Sequence, residues 1–240
     1  MKKIIIVFAV FATFSVAASA QKRPGDSESK KKYDGGIELI KTEKVESNLR
    51  IAFPMYFGES LLLNNQDKNL ETIFYKNFLY QFEMANLSFS SRKSHLGVSF
   101  GVRWTFMDFA LNNTDITFRK NDAGVYAPYK ILYENTKYDG KKSKIHASYI
   151  GIPIRLCYKA GRGKVYVGAS AEYLVNGYTK YKNPGYREVH SDLFKRFRAS
   201  AEAGFAYGLL GVFVNYGITP LFPSDWNNSH TLSFGLTLGI

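Results

Sequence analysis

One cysteine, Cys157, is all that the 240 residues contain, which excludes a disulfide framework and any multi-cysteine zinc or iron–sulfur site. Cys157 is expected to be a small buried or wall-facing residue. The four histidines, His95, His146, His190 and His230, show no metal-ligand spacing, and neither a glycine-rich phosphate loop nor a Gly-x-Ser-x-Gly elbow occurs. No cofactor, metal or catalytic residue is therefore expected, and the chain does not read as an enzyme. Apolar runs are short: the longest, from Ile4 to about Ser15, falls below the roughly 20 residues that a membrane-crossing helix needs. Acids are the scarcer charge, with Asp+Glu 20 against Lys+Arg 32 and a formal net charge of +12. That excess invites a nucleic-acid reading only if the chain shares a compartment with nucleic acid.

Aromatics are abundant. Tyr 17 and Phe 19 supply apolar surface that excludes disorder throughout, and the length allows one large domain or two small ones. Lys2 and Lys3, the apolar run and the small residues Ala17, Ala18, Ser19 and Ala20 match the three parts of a secretory signal. Cleavage is expected after Ala20, with no cysteine there to carry lipid, and two of the positive charges leave with Lys2 and Lys3. The mature chain then leaves the cytoplasm, so no nucleic-acid partner is expected. Residues 21–46 carry Lys30, Lys31 and Lys32 beside Gly25, Gly35 and Gly36 and read as a flexible periplasmic lead-in, either a tether or a docking peptide. Residues 47–240 remain for the fold.

There the pattern has a period of two. Leu96, Val98, Phe100, Val102, Trp104 and Phe106 alternate with Gly97, Ser99, Gly101, Arg103 and Thr105, and Leu232, Phe234, Leu236, Leu238 and Ile240 alternate with Thr231, Ser233, Gly235, Thr237 and Gly239. Each is a strand with one apolar face. Similar rows run over Leu49–Phe57, Phe78–Met84, Ile150–Tyr158, Val165–Val175, Phe197–Tyr207 and Val212–Ile218. This makes about eight strands, most near the roughly 9 to 11 residues that a tilted strand needs to cross a bilayer.

The connections alternate in length. Gly58–Tyr75, Asn112–Ser143, Thr179–Leu193 and Thr219–Ser229 are long, whereas Ser90–Ser94, Ala160–Gly163 and Gly208–Leu210 are short. Long loops on one rim and tight turns on the other fit an up-and-down antiparallel transmembrane barrel, not a sandwich with crossovers. A soluble lipocalin-type barrel has the same alternation with the opposite orientation. The polar face decides between them, because its mid-strand positions are Gly, Ala, Ser and Thr with a few Arg and Glu. Lysines collect at strand ends, as with Lys144, Lys159, Lys164 and Lys195. Such a face suits a narrow, crowded, polar lumen, and the apolar rows are then expected to meet lipid.

Tyr149-Ile150-Gly151-Ile152-Pro153-Ile154-Arg155, followed by a short turn and Val165-Tyr166-Val167-Gly168-Ala169, resembles the outer-membrane β-barrel family common in Bacteroidetes, often labelled porin-like or PorT-like. The last eight residues, Ser233 to Ile240, are similar to a barrel-assembly signal, although the usual terminal aromatic is absent. The resemblance covers roughly residues 47–240. It implies an integral outer-membrane protein with a periplasmic N-terminus and extracellular long loops, assembled by the barrel-assembly machinery. Activity is not implied.

In this arrangement Glu83, Glu172 and Glu202 point into the lumen with Arg103, Arg155 and Arg198. Equal numbers of each sign predict mutual pairing, since an isolated buried charge costs several kcal/mol. The short turn near Arg92 sets Glu83 almost opposite Arg103, which predicts that pair. The network reads as a structural charge ladder, with a selectivity lining as the alternative. The long loops carry Arg119, Lys120, Lys130, Lys137, Lys141, Lys142, Lys180, Lys182 and Arg187, interleaved with Phe118, Tyr126, Tyr129, Tyr133, Tyr138, Tyr178, Tyr181 and Tyr186. These are either plain solvated loops or a surface for lipopolysaccharide or another anionic lipid or glycan. His146 and Ser148 share a strand face and so resemble the His-x-Ser pair of lipid A deacylases. Tyr149 and Ile150 depart from that pattern, and no carboxylate partner is evident. His190-Ser191-Asp192 reads as loop.

Four functions follow in order of expectation. The first is a mostly closed barrel with structural, assembly, secretion-associated or surface-interaction duties and an unidentified envelope partner. A narrow porin-like channel, a lipid A-modifying enzyme and a soluble ligand-binding barrel are the alternatives.

Overall fold

A computed structural model describes residues 47–65, 67–91, 95–114, 116–120, 122, 124, 126–130, 142–182, 185–189, 191–223 and 227–239. The expected signal and lead-in, residues 1–46, lie outside them. Among the described residues twelve strands form: β1 Ser47–Ala52, β2 Met55–Leu63, β3 Phe78–Ser91, β4 Leu96–Ala110, β5 Ile116–Lys120, β6 Tyr126–Lys130, β7 Ser143–Ala160, β8 Gly163–Lys182, β9 Gly185–Val189, β10 Phe197–Tyr207, β11 Leu210–Gly217 and β12 His230–Leu238. Eight of them close an antiparallel barrel in the order β2, β3, β4, β7, β8, β10, β11, β12, with β12 returning to β2. Each of the eight expected rows contributes a strand to it, the first through its β2 end alone.

Side-chain direction follows the period of two. Ile152, Ile154 and Leu156 stand outward, between 55% and 61% exposed, while Arg103, Arg155, Arg198, Glu83, Glu172 and Glu202 on the opposite face are between 0% and 6% exposed. The apolar rows therefore coat the outside of the barrel. Their outward stretches, such as Ile150 to Tyr158 on β7, match the roughly 9 to 11 residues of a bilayer crossing. At 18 and 20 residues, β7 and β8 stand well above that belt at the end of the long loops. The two-residue turns at 161–162 and 208–209 close the opposite rim, with Gly161 and Gly208 at positive φ, a backbone that glycine adopts without strain.

Several boundaries differ from expectation for identifiable reasons. The single row Leu49–Phe57 is interrupted at Pro54, which has no N–H to give the ladder. β1 pairs with β3, and only β2 spans from β3 to β12. Met84 drops out of the β3–β4 register as a bulge. Gly58 is not the start of a loop, since β2 continues to Leu63. The segment 112–143 contains the hairpin β5–β6 outside the barrel wall, and 179–193 begins as a continuation of β8 paired with β9. The segment 191–193 is a short 3-10 turn.

The barrel closes where Gly58 faces Gly235 across β2 and β12. A Cβ on Gly235 would lie 2.1 Å from the Phe57 carbonyl oxygen, and one on Gly58 would lie 2.2 Å from that of Phe234. Gly235→Val is expected to cost about 1–3 kcal/mol through overpacking of this seam, measured by urea unfolding in detergent.

Candidate functional site

The six charged lumen residues come from β3, β4, β7, β8 and β10, and they join into one alternating chain across the barrel: Glu83, Arg155, Glu202, Arg103, Glu172, Arg198. The Arg155 guanidinium donates to both oxygens of Glu83, at 3.0 Å from Nη1 to Oε2, and also to Glu202. Arg103 donates to Glu202 and, at 3.2 Å, to Glu172. Arg198 donates to Glu172 and reaches Asn215 and Thr231 at 3.1 and 3.0 Å.

The predicted Glu83–Arg103 pair does not form. Their backbones are opposite as expected, yet the small lumen lets each arginine reach across to a carboxylate on another strand. The direct cross-strand pair is Arg198–Glu172 on β10 and β8.

Neutral donors complete the carboxylates. Tyr56 and Asn86 donate to Glu83 at 3.1 and 2.6 Å, and Thr105 and Ser170 donate to Glu172 at 3.2 and 3.3 Å. Three charges of each sign with these donors meet the requirement that a buried ion be paired and hydrogen-bonded. Tyr56 and Tyr166 flank the Arg155 guanidinium at 5.6 and 5.5 Å, and Tyr149 covers that of Arg198 at 5.9 Å, positions that add cation–π attraction. Cys157 is buried on the same inner face, as expected.

Above this layer the interior is not the polar lumen expected from the sequence. Met107, Phe109, Ile145 and Ala147 turn inward and are fully buried. All four loop segments place apolar side chains among the same buried cluster: Leu70 from the first, Ile116 and Phe118 from the second, Leu193 and Phe194 from the third, Leu221 and Phe222 from the fourth. Phe194 stacks on Phe222 at 5.9 Å. Tyr126, read as a surface aromatic, joins the cluster, as does Phe118. The doublets Leu193-Phe194 and Leu221-Phe222, isolated within polar segments, were the available sequence signal for this plug.

Tyr126 is held by donating its hydroxyl to Asp192 at 2.6 Å, and Lys120 pairs with the same carboxylate. Burial would raise the Asp192 pKa, but the hydrogen bonds from Lys120 and Tyr126 outweigh it and hold the carboxyl below its ordinary value. A depressed folded pKa contributes stability that is present above the unfolded value of about 3.9 and is lost as pH falls through the folded one. The protection factors of β5–β6 amides, each referred to the intrinsic rate at the same pH, should therefore fall below about pH 4, and Asp192→Asn should abolish that step.

Of the basic loop residues, Arg119, Lys120, Lys142 and Lys180 are exposed. Backbone register sets Lys130 opposite Ile116, Arg187 opposite Lys180 and Lys182 opposite Gly185. Lys137 and Lys141 lie outside the described residues. His146 and Ser148 do share the outer face of β7, and the carboxylate that sequence reasoning could not place is Asp108, directly opposite His146 on β4 and 2.6 Å from its Nδ1. Ser148 is 3% exposed, and no hydrogen bond joins it to His146. Among the described residues, no three His, Cys, Asp or Glu side chains gather as metal ligands.

The solved structure of Ail, the attachment invasion locus protein of Yersinia pestis, is similar over 79% of this chain and 97% of its own, with 8% identity and a TM-score of 0.35. A structure described under asymmetric conductivity of engineered proteins is similar over 80% of this chain and 100% of its own, with 10% identity and a TM-score of 0.17. No curated protein matches the sequence. Residues 65–237 match the family described as outer membrane protein beta-barrel domain. With a closed eight-stranded wall, apolar outside and charged within, and a family match over most of its length, the chain belongs to the outer-membrane β-barrel domain family.

Proposed function

We propose that this outer-membrane protein is a closed anchor whose long loops, facing the cell exterior, are its working surface. The alternating chain of six buried charges carries this reading: it fills the lumen with three arginines and three glutamates, each ion-paired within the chain. The apolar plug above it adds a second closure. Purified protein in a planar bilayer is expected to show no steady conductance; a large steady current would overturn the closed reading in favour of the narrow channel.

The duties of such an anchor are structural, assembly-linked, secretion-associated or surface-binding. The PorT-like resemblance of Tyr149 to Arg155 supports a place beside a secretion apparatus, with an envelope protein as partner. β12, which bears the assembly-signal pattern and closes the barrel against β2, supports handling by the barrel-assembly machinery. The exposed Arg119, Lys120, Lys142 and Lys180 support contact with phosphorylated lipid or glycan. A lipid-modifying activity lacks the nucleophile–base contact that it needs, because Ser148 is buried and does not touch His146 through a hydrogen bond.

A further inference from the structure

Lysines on the outer wall of a barrel are costly within the apolar belt and useful just above it. Lys144 and Lys180 lie directly opposite each other on β7 and β8, above the belt residues Ile150 to Tyr158 and Val165 to Val175. Lys144 shares the outward face with His146, and its ammonium sits over the Phe78 ring at 5.8 Å. Lys142 comes from the last residues before β7 and is exposed. Burial, Lys142 and Lys180 all depress the proton affinity of Lys144, against the opposing pull of Asp108. Among the described residues the carboxylate paired with this cluster is Asp108, whose Oδ2 lies 4.0 Å from Lys144 Nζ, and that carboxylate is already held by His146. Such a cluster has more positive charge than it can neutralise.

Immediately below lies an apolar platform. Trp104 stacks on Phe106 at 5.5 Å, Phe106 approaches His146 at 6.3 Å, and His146 stacks on Tyr178 at 4.4 Å. Phe82 and Tyr80 extend the same surface toward β2. Flat, rigid rings at this height suit acyl chains, and ammonium groups one tier higher suit phosphate.

We propose that Lys142, Lys144 and Lys180 form a seat for the phosphate of an outer-leaflet lipid whose acyl chains lie along the Trp104, Phe106 and Tyr178 rings. The seat is on the lipid-facing wall, separate from the loop tips, and it rests on the outer-membrane placement with the long loops outside. Charge complementarity selects the occupant: a phosphorylated lipid meets both tiers, whereas an uncharged lipid meets only the lower one.

The test uses the full chain folded in detergent, titrated with diphosphoryl lipid A and with the dephosphorylated form, and followed by native mass spectrometry. The phosphorylated lipid should bind at least about tenfold more tightly, and its binding should weaken as salt rises from about 50 to about 500 mM. Lys142→Ala/Lys144→Ala/Lys180→Ala should lose about tenfold or more, each single variant about threefold, and Lys144→Arg little. Asp108→Asn should instead tighten binding, because it removes the negative charge that pairs with Lys144. Arg162→Ala, in the 161–162 turn on the opposite rim, should leave it unchanged. Equal binding of the two lipids, or unchanged binding by the lysine variants, would overturn the seat. Displacement of lipid A by inorganic phosphate at equal molarity would show a free-phosphate site and overturn the lipid assignment. Outer-membrane fractionation is read separately: a protein found in that fraction but indifferent to lipid phosphate sinks the seat alone, whereas one absent from it sinks the anchor as well.

Discussion

Glu202→Ala is expected to destabilise the folded barrel by about 3–5 kcal/mol, the usual cost of removing one partner from a buried ion pair. Glu202 is the central carboxylate of the lumen chain and is shared by Arg103 and Arg155. Both arginines are essentially inaccessible to water, so neither can replace the lost partner by hydration. Arg103 would keep Glu172, which is already shared with Arg198, and Arg155 would keep Glu83. Three guanidinium groups would then face two carboxylates. Glu202→Gln should cost less, because the amide oxygen still accepts a hydrogen bond. A Glu202→Leu/Arg103→Met double variant should recover much of the loss, since removing both partners leaves no orphaned charge at that position. Urea titration of the heat-resistant compact form in detergent reads all three. A loss below about 0.5 kcal/mol for Glu202→Ala would mean that water reaches the chain and that the lumen is not closed at this level.

Ile154→Arg is expected to cost about 2–4 kcal/mol in a bilayer, the penalty for a cation near its midplane on a barrel's outer face. Ile154 is 57% exposed in the middle of the β7 belt. On a water-facing wall the same exchange would fall within about ±0.5 kcal/mol, the range for exposed surface positions. Tyr158→Arg, at the rim end of the same row, should cost about 0–1 kcal/mol. A depth-dependent penalty is therefore the signature of lipid, and equal small effects at both positions would contradict it. Folding into vesicles by urea dilution gives the comparison.

The rows of alternating residues were legible because a strand of period two needs no distant information to reveal its faces. Leu96 to Phe106 and Ile150 to Tyr158 identify the outer wall, and the intervening Arg103 and Arg155 identify the lumen. Backbone register across a short turn was equally legible, which is why Glu83 does face Arg103. Their choice of partners was not, because an arginine side chain is long enough to cross so narrow a barrel and pair with strands that are remote in sequence. Arg155 with Glu83, 72 residues apart, and Arg103 with Glu202, 99 apart, are pairings set by closure of the barrel.

The loops were the other blind spot. Their lysines and tyrosines advertise solvent, and for Lys142 and Lys180 that is where the side chains are. Leu193-Phe194 and Leu221-Phe222 are too short to show any period, so only the fold reveals that they enter the plug. Asp108 was hidden for a similar reason, because its place beside His146 depends on the β4–β7 register, which the long intervening segment leaves undefined by sequence. Pro54 was the opposite case: a visible residue whose interruption of β1 and β2 follows from its missing N–H.

The outward direction of the apolar rows is tested most directly by spin labels placed singly at Ile152, Ile154, Leu156 and Lys142 in a Cys157→Ser background and reconstituted in vesicles. Labels at the first three positions should collide more often with dissolved oxygen than with a water-soluble nickel chelate, and the label at Lys142 should show the reverse. Nickel accessibility at position 154 equal to that at position 142 would contradict the membrane barrel.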